Sequence, residues 1–312
     1  MMEKPLLQAS QLSRNFGGHA AVSNVSFTVN KGEVLGFLGP NGAGKSTTMK
    51  MLSGNLAPDN GQITINGIDL LDKPKRAKAH IGYLPETPPL YKEHSVAEFL
   101  HFCARLNNID KKEQKAAVDT VLERCGLTAV HRRLISNLSK GFQQRVGIAQ
   151  AIIHSPAVVI LDEPTSGLDP IQIREIRQLI RDIANEHSVI LSTHILPEVQ
   201  MLCDRVQIIS HGQLLFNDSI DRLSQQMHTS AILVEFEQPV SPTVLSNING
   251  ITAIDELAEN RLRLHYQPEL NPTENLLQQS VNHGWKLKML MPEQHSLEDV
   301  FMKIIQNEDA DV

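Results

Sequence analysis

Apolar residues recur along this chain in two patterns, and the change from one to the other falls near Asp218. Before it, short unbroken runs at Val34–Leu38, Ile81–Leu84, Val158–Asp162, Val189–Thr193 and Val206–Ser210 read as buried strands. They alternate with segments of helical spacing at Lys45–Ser53, Ile171–Glu186 and Leu196–Cys203. That alternation predicts a parallel sheet with helices on its faces. Three further runs, Leu6–Leu12, Val22–Val29 and Ile63–Ile65, predict an antiparallel annex, with turns at Gly17-Gly18, Lys31-Gly32 and Asp59-Asn60-Gly61. Between Glu86 and Ser155 the pattern is mostly helical: Ser95 is placed to cap a helix through Leu106, and Lys111–Cys125 keeps helical spacing up to Gly126. This block, residues 87–155, interrupts the strands as an inserted helical lobe.

Beyond Asp218 the strands become short and two-periodic, at Ala231–Glu237, Ile251–Leu257, Arg261–Tyr266 and Trp285–Met291. A helix is expected over Thr273–His283 and another from Ser296, whose hydroxyl would cap it with Asp299 at the third helical position. Residues 218–312 therefore read as a small α+β domain, joined through a helix at Ser219–Met227 to a larger domain spanning 1–217.

The chemistry is concentrated at Gly39-Pro40-Asn41-Gly42-Ala43-Gly44-Lys45-Ser46-Thr47, which satisfies the pattern G-x-x-x-x-G-K-[ST] between an expected strand and an expected helix. Glycines let successive backbone N–H groups point at phosphates without side chains intervening, and the opening helix adds its positive end. Lys45 supplies a mobile ammonium for the outer phosphates, and the Ser46 hydroxyl suits Mg²⁺, a hard cation that takes oxygen ligands. A nucleoside triphosphate is the implied ligand and the fold class is α/β, a phosphate-loop NTPase (RecA-like) core; GTPases, kinases and ATPases remain open on this motif alone. Downstream, the apolar run Ala157–Leu161 ends in Asp162 and Glu163. Asp162 at the strand tip is placed to hold Mg²⁺, and Glu163 to act as general base toward an attacking water.

Composition narrows the class. The chain has 312 residues, 41% of them hydrophobic and 21% charged, enough for a sizeable core in each of two domains. A net charge of −6 argues against nucleic acid bound through bulk electrostatics. The only basic cluster, Lys73-Pro74-Lys75-Arg76-Ala77-Lys78, reads as a solvated connector. Cys103, Cys125 and Cys203 lack C-x-x-C spacing and read as small buried hydrophobes in a reducing compartment. The 13 histidines show no metal-ligand spacing, so any metal should arrive with the nucleotide. No run approaches the ~20 apolar residues that cross a bilayer, and the start of the chain lacks the apolar core of a signal peptide. Service to a membrane would therefore be from its cytoplasmic face and through a partner.

Four more segments stand in an order that resembles the ATP-binding cassette (ABC) family. Leu138-Ser139-Lys140-Gly141-Phe142-Gln143-Gln144-Arg145 is similar to its L-S-G-G-Q signature: Ser139 and Gly141 are kept, while Lys140 and Phe142 replace Gly and Gln. Ser166-Gly167-Leu168-Asp169 resembles its D-loop, and Ser192-Thr193-His194 its switch histidine. Phe16 matches the aromatic on which adenine stacks, and Glu86 stands where the Q-loop has Gln, a third oxygen ligand for Mg²⁺. The resemblance implies ATP and Mg²⁺ as cofactors, with Lys45, Glu163 and His194 as catalytic residues. It also implies head-to-tail pairing, as a homodimer or with a related chain, so that Ser139, Gly141 and Asp169 of one copy complete the nucleotide site of the other. Phe142, Gln143, Gly82-Tyr83-Leu84-Pro85-Glu86 and Ser296–Phe301 further resemble ATPase subunits of ABC-2-type exporters, which drive a separate membrane permease. An importer subunit and a soluble, nucleotide-gated ABC protein are the alternatives.

Overall fold

The computed structural model describes residues 4–225, 228–258, 260–267, 270–294 and 297–310. They form two compact units, 1–220 and 221–312. In the first, β1 (Leu7–Phe16) and β2 (His19–Val29) make a hairpin, and β3 (Val34–Leu38) runs through the glycine-rich loop into α1 (Lys45–Leu52). β4 (Asn60–Ile65), β5 (Ile68–Asp69), α2 (Pro74–Lys78) and β6 (Ile81–Leu84) follow. Next come three helices, α3 (Val96–Leu106), α4 (Gln114–Arg124) and α5 (Lys140–Ile152), which form the inserted lobe. The chain then alternates through β7 (Val158–Asp162), α6 (Pro170–Ala184), β8 (Ser188–Thr193), α7 (Leu196–Leu202) and β9 (Arg205–Ser210), and ends the unit with β10 (Gln213–Ser219).

The central sheet has the order β10-β9-β3-β8-β7-β6, and the annex the order β2-β1-β4-β5. β9, β3, β8, β7 and β6 are parallel, while β10 returns antiparallel at the edge. Every residue of β3, β7 and β8 is buried, as expected of strands covered on both faces. One apolar cluster, including Phe27, Phe37, Met49, Ile63, Val158 and Ile190, spans annex and central sheet, so the glycine-rich loop is held between two sheets that share a core.

Local rules set the helix ends. Ser95 and Glu98 form a reciprocal capping box at α3, Ser139 caps α5, and Asp169 caps α6 with Pro170 at its first position. In α6, Ile176, Leu179, Ile180 and Ile183 turn one stripe to the core. The three cysteines are buried and free, and burial pushes the Cys103 and Cys125 thiols up to about 12.

The structure departs from expectation in several places. The basic run 73–78 is not merely connector: Pro74 opens α2, which buries only Ala77. Strand β10 was not anticipated, although the His211-Gly212 turn before it, with φ of 44° and 80°, is a hairpin signal. Because β10 pairs with β9 as far as Ser219–Arg205, the first unit ends at Ile220 and not at 217.

The second unit contains α8 (Ile220–Gln225, begun at the end of the first), β11 (His228–Phe236), α9 (Pro242–Leu245), β12 (Ile251–Ala258), β13 (Arg261–Tyr266), α10 (Thr273–His283), β14 (Leu287–Gln294) and α11 (Leu297–Ala310). Its antiparallel sheet, β12-β13-β11-β14, covers a core of Ile232, Val234, Phe236, Leu245, Leu264 and Leu276. The strand expected from Trp285 starts at Leu287, because Gly284 ends α10 in the left-handed region and Lys286, at φ 49°, is still turning. The expected cap at Ser296 and the helix end at Met227 lie outside the described residues.

Candidate active site

The loop between β3 and α1 selects glycine on steric grounds at Gly39, where a Cβ would collide with the Ile209 carbonyl oxygen, and at Gly44. Gly44 sits at φ 103°, and a Cβ there would collide with the Ala21 carbonyl oxygen. With Gly44 as N-cap and no acidic residue in its first turn, α1 directs its opening N–H groups and positive end into a cavity of about 610 Å³. Asn41, Gly42, Gly44, Lys45, Ser46 and Thr47 line that cavity from the loop, and Glu86, Glu163, Ser166 and His194 line it from other elements. Gly39, Pro40 and Ala43 shape the loop without lining the cavity.

Lys45 is 5% exposed and folds back over its own loop, donating to the carbonyls of Gly39 at 2.8 Å and Pro40 at 3.1 Å. Its Nζ is 3.6 Å from Glu163 Oε1. Burial pushes the Lys45 pKa down, and the carboxylates of Glu163, Asp162 and Glu86 oppose that push. The ammonium thus already sits among oxygen ligands.

Glu163 follows the last residue of β7 in a left-handed conformation, φ 48°, which is costly for a residue with a Cβ. Its N–H donates to the Ser192 carbonyl at 2.9 Å, tying the strained residue to β8. The register that pairs Asp162 with Ser192 then brings Glu163 and His194 together: His194 Nδ1 lies 2.8 Å from Glu163 Oε2. A carboxylate only accepts, so Nδ1 carries the proton of this contact and Nε2 is left for another partner. His194 is held in turn by Thr193, whose hydroxyl donates to Glu198 at 3.0 Å and accepts from the Ile195 N–H at 3.1 Å. Glu198 is fully buried with Arg177 3.4 Å away. Sequence reading missed Glu198; its only local sign is an acid in the first turn of α7 behind Pro197.

Asp162 is 2% exposed and its Oδ1 has no hydrogen-bond partner among the described residues. Burial raises its pKa, the Ser192 and Ser46 hydroxyls lower it, and Glu86 raises it. An orphaned buried carboxylate oxygen, a serine hydroxyl and a second carboxylate form a donor set of hard oxygens, which fits Mg²⁺.

The remaining candidates lie outside the cavity. Phe16 is 48% exposed and pairs in register with His19, which lines the cavity; the Arg14 guanidinium lies 5.1 Å from the Phe16 ring centre. Ser139 is engaged as the cap of α5, with Phe142 N–H donating to its Oγ at 3.4 Å. The Asp169 carboxylate accepts from the Ile171 and Gln172 N–H groups at 3.0 and 2.9 Å. A Cβ on Gly141 would meet the Gln172 side chain, and the place of a Cβ on Gly167 is taken by the Lys140 ammonium. The two segments thus interlock within one chain, with Ser139, Gly141 and Asp169 outside the cavity. Ser166, by contrast, does line the cavity, although sequence reading gave it no separate role.

Comparison with known proteins agrees with this geometry. A family model described as "ABC transporter" matches residues 22–166. The bacitracin transport ATP-binding protein BcrA of Bacillus licheniformis is 34% identical over 96% of this chain and 97% of its own length. The linearmycin resistance ATP-binding protein LnrL of Bacillus subtilis is 30% identical, covering 96% and 98%. Among solved structures, an ATP-binding subunit of an ABC transporter superposes with a TM-score of 0.65 at 32% identity, over 71% of this chain and 92% of its own. A glycine-rich loop that opens a helix into the cavity, two carboxylates at the tip of β7 and relatives matched from end to end leave one assignment: the chain belongs to the ATP-binding subunits of ABC transporters, a family that hydrolyses ATP.

Proposed function

We propose that this protein is the ATP-hydrolysing subunit of an ABC-2-type exporter, working from the cytoplasmic face of the membrane on a separate permease. No helix among the described residues is long and apolar enough to span a bilayer, and the relatives named for bacitracin transport and linearmycin resistance support the export reading. Lys45 and the loop N–H groups would hold the β- and γ-phosphates in the cavity, Phe16 beside it would stack adenine, and Ser46, Asp162 and Glu86 would hold Mg²⁺, which would neutralise phosphate charge. Glu163 takes a proton from a water held by His194 Nε2; the water oxygen bonds to the γ-phosphorus and the bond to the β-phosphate oxygen breaks, leaving ADP and phosphate.

The observation that carries the dimeric part is the location of Ser139, exposed, and Gly141, buried against Gln172 of α6, at the head of α5 and absent from the cavity of their own chain. A second copy, arranged head to tail, would bring them to its partner's γ-phosphate, and hydrolysis would release that bridge. Mixing inactive Lys45→Ala and Ser139→Phe chains tests this. In a shared-site dimer, a mixed pair keeps one intact site, so turnover should recover to roughly a quarter of the parent's. No recovery would rule the shared site out. The transporter reading predicts co-purification from membranes with an integral protein.

A further inference from the structure

The second unit contains a cavity that ATP hydrolysis does not use. It measures about 380 Å³, within the range of small-molecule sites, and lies beside α10 and the loop after α9. Asn275, Gln279 and His283 stand four residues apart along α10, a stripe adjacent to the face that buries Leu276 and Ser280. Asn247 and Asn249 face them across the cavity from either side of Ile248, which belongs to the domain core. Among the described residues, none of the four amide side chains has a protein hydrogen-bond partner, and no Asp, Glu, Lys or Arg lines the cavity.

One end is aromatic. The backbone N–H of Trp285 donates to the Ser280 carbonyl at 3.0 Å behind the left-handed Gly284, which fixes where the side chain emerges from α10. Its ring stacks on His283 at 5.2 Å and 21°, and meets Phe236 edge-on at 6.0 Å. His283 Nδ1 is 3.0 Å from the Gln279 carbonyl oxygen, which leaves Nε2 for another partner.

Asn247, Asn249 and Asn275 are exposed and Gln279 half-buried, and each amide offers donors and an acceptor, the same dual capacity as a hydroxyl, whereas a cavity lined by no Lys or Arg offers no such cation to a phosphate or carboxylate. An aromatic wall takes the C–H face of a ring. We propose that this cavity binds a neutral saccharide of one or two rings, making the second unit a ligand-sensing domain. The inference stands independently of the exporter assignment.

Trp285 is the only tryptophan in the chain, so its emission reports the site directly. The full-length protein, without nucleotide, is titrated with maltose, cellobiose, sucrose and diacetylchitobiose, and with glucose 6-phosphate and glutamate as charged controls. The expected result is a saturable emission change with at least one neutral sugar, weakened about five- to tenfold by Asn275→Ala and again by Gln279→Ala, at unchanged melting temperature. Absence of a saturable change with all four sugars, an equal response in the double variant, or a larger response to a charged control would overturn the proposal.

Discussion

Replacing Glu163 with glutamine separates charge from shape at the centre of the site. The amide keeps the side chain's volume and an acceptor for His194 Nδ1, now 2.8 Å from the carboxylate, so the switch histidine stays in place. What disappears is the basic oxygen proposed to take the water's proton. General-base assistance is worth about 10²–10⁴-fold in rate, or about 3–5.5 kcal/mol of barrier. Binding responds differently, because the lost anion stood 3.6 Å from Lys45 Nζ and competed with phosphate for that ammonium. The Lys45 contacts to Gly39 and Pro40 do not involve Glu163 and persist. Phosphate release at saturating ATP should therefore fall by at least about 100-fold while ATP affinity holds or rises. Sedimentation velocity should show ATP driving the variant into a dimer, since the γ-phosphate is no longer removed. Turnover within about tenfold of the parent would remove Glu163 from the role of base.

Lys45→Ala should weaken ATP about 10- to 100-fold, the range for a charge-assisted hydrogen bond, while adenosine binding measured by calorimetry stays near the parent value. Phe16→Ala should cost about 1–3 kcal/mol of ATP affinity by removing the stacking surface, and Phe16→Tyr should restore it; equal affinities for all three would exclude stacking. In the inserted lobe, Ser95→Ala should lower stability by about 1 kcal/mol in chemical denaturation. Hydrogen bonds from the Ser95 N–H and hydroxyl hold the Glu98 carboxyl below its usual pKa, so its contribution is present above the ordinary carboxylate range and lost as pH falls through the depressed value. Glu98→Gln should accordingly melt below the parent near neutrality, and the gap should close on acidification.

Much of this protein was legible in residue order because the rules involved act over a few positions. A cap at Ser95, a turn at Gly126, the glycine pattern ahead of Lys45 and an apolar run ending in Asp162 and Glu163 each draw on bonds formed within a turn of their own chain. The parallel sheet followed from alternation, since five strands without polar faces can be buried only between helices. Strand β10 was harder to see: at a sheet edge its residues are half exposed, and the apolar signal that marks a central strand is diluted.

Tertiary structure decided which of these local pieces meet. Glu163 and His194 are 31 positions apart, and only the pairing of Asp162 with Ser192 across β7 and β8 sets them 2.8 Å from each other. The same holds for Glu198, an unremarked helical acid until the fold buries it under Thr193, and for the Lys140 ammonium lodged against Gly167. Asn247 and Asn249 likewise meet Asn275 and Gln279 around one cavity only because the loop after α9 lies beside α10. Residue order specifies hydrogen bonds that close within a turn; contacts between distant segments depend on sheet register and helix packing, which the whole core settles at once.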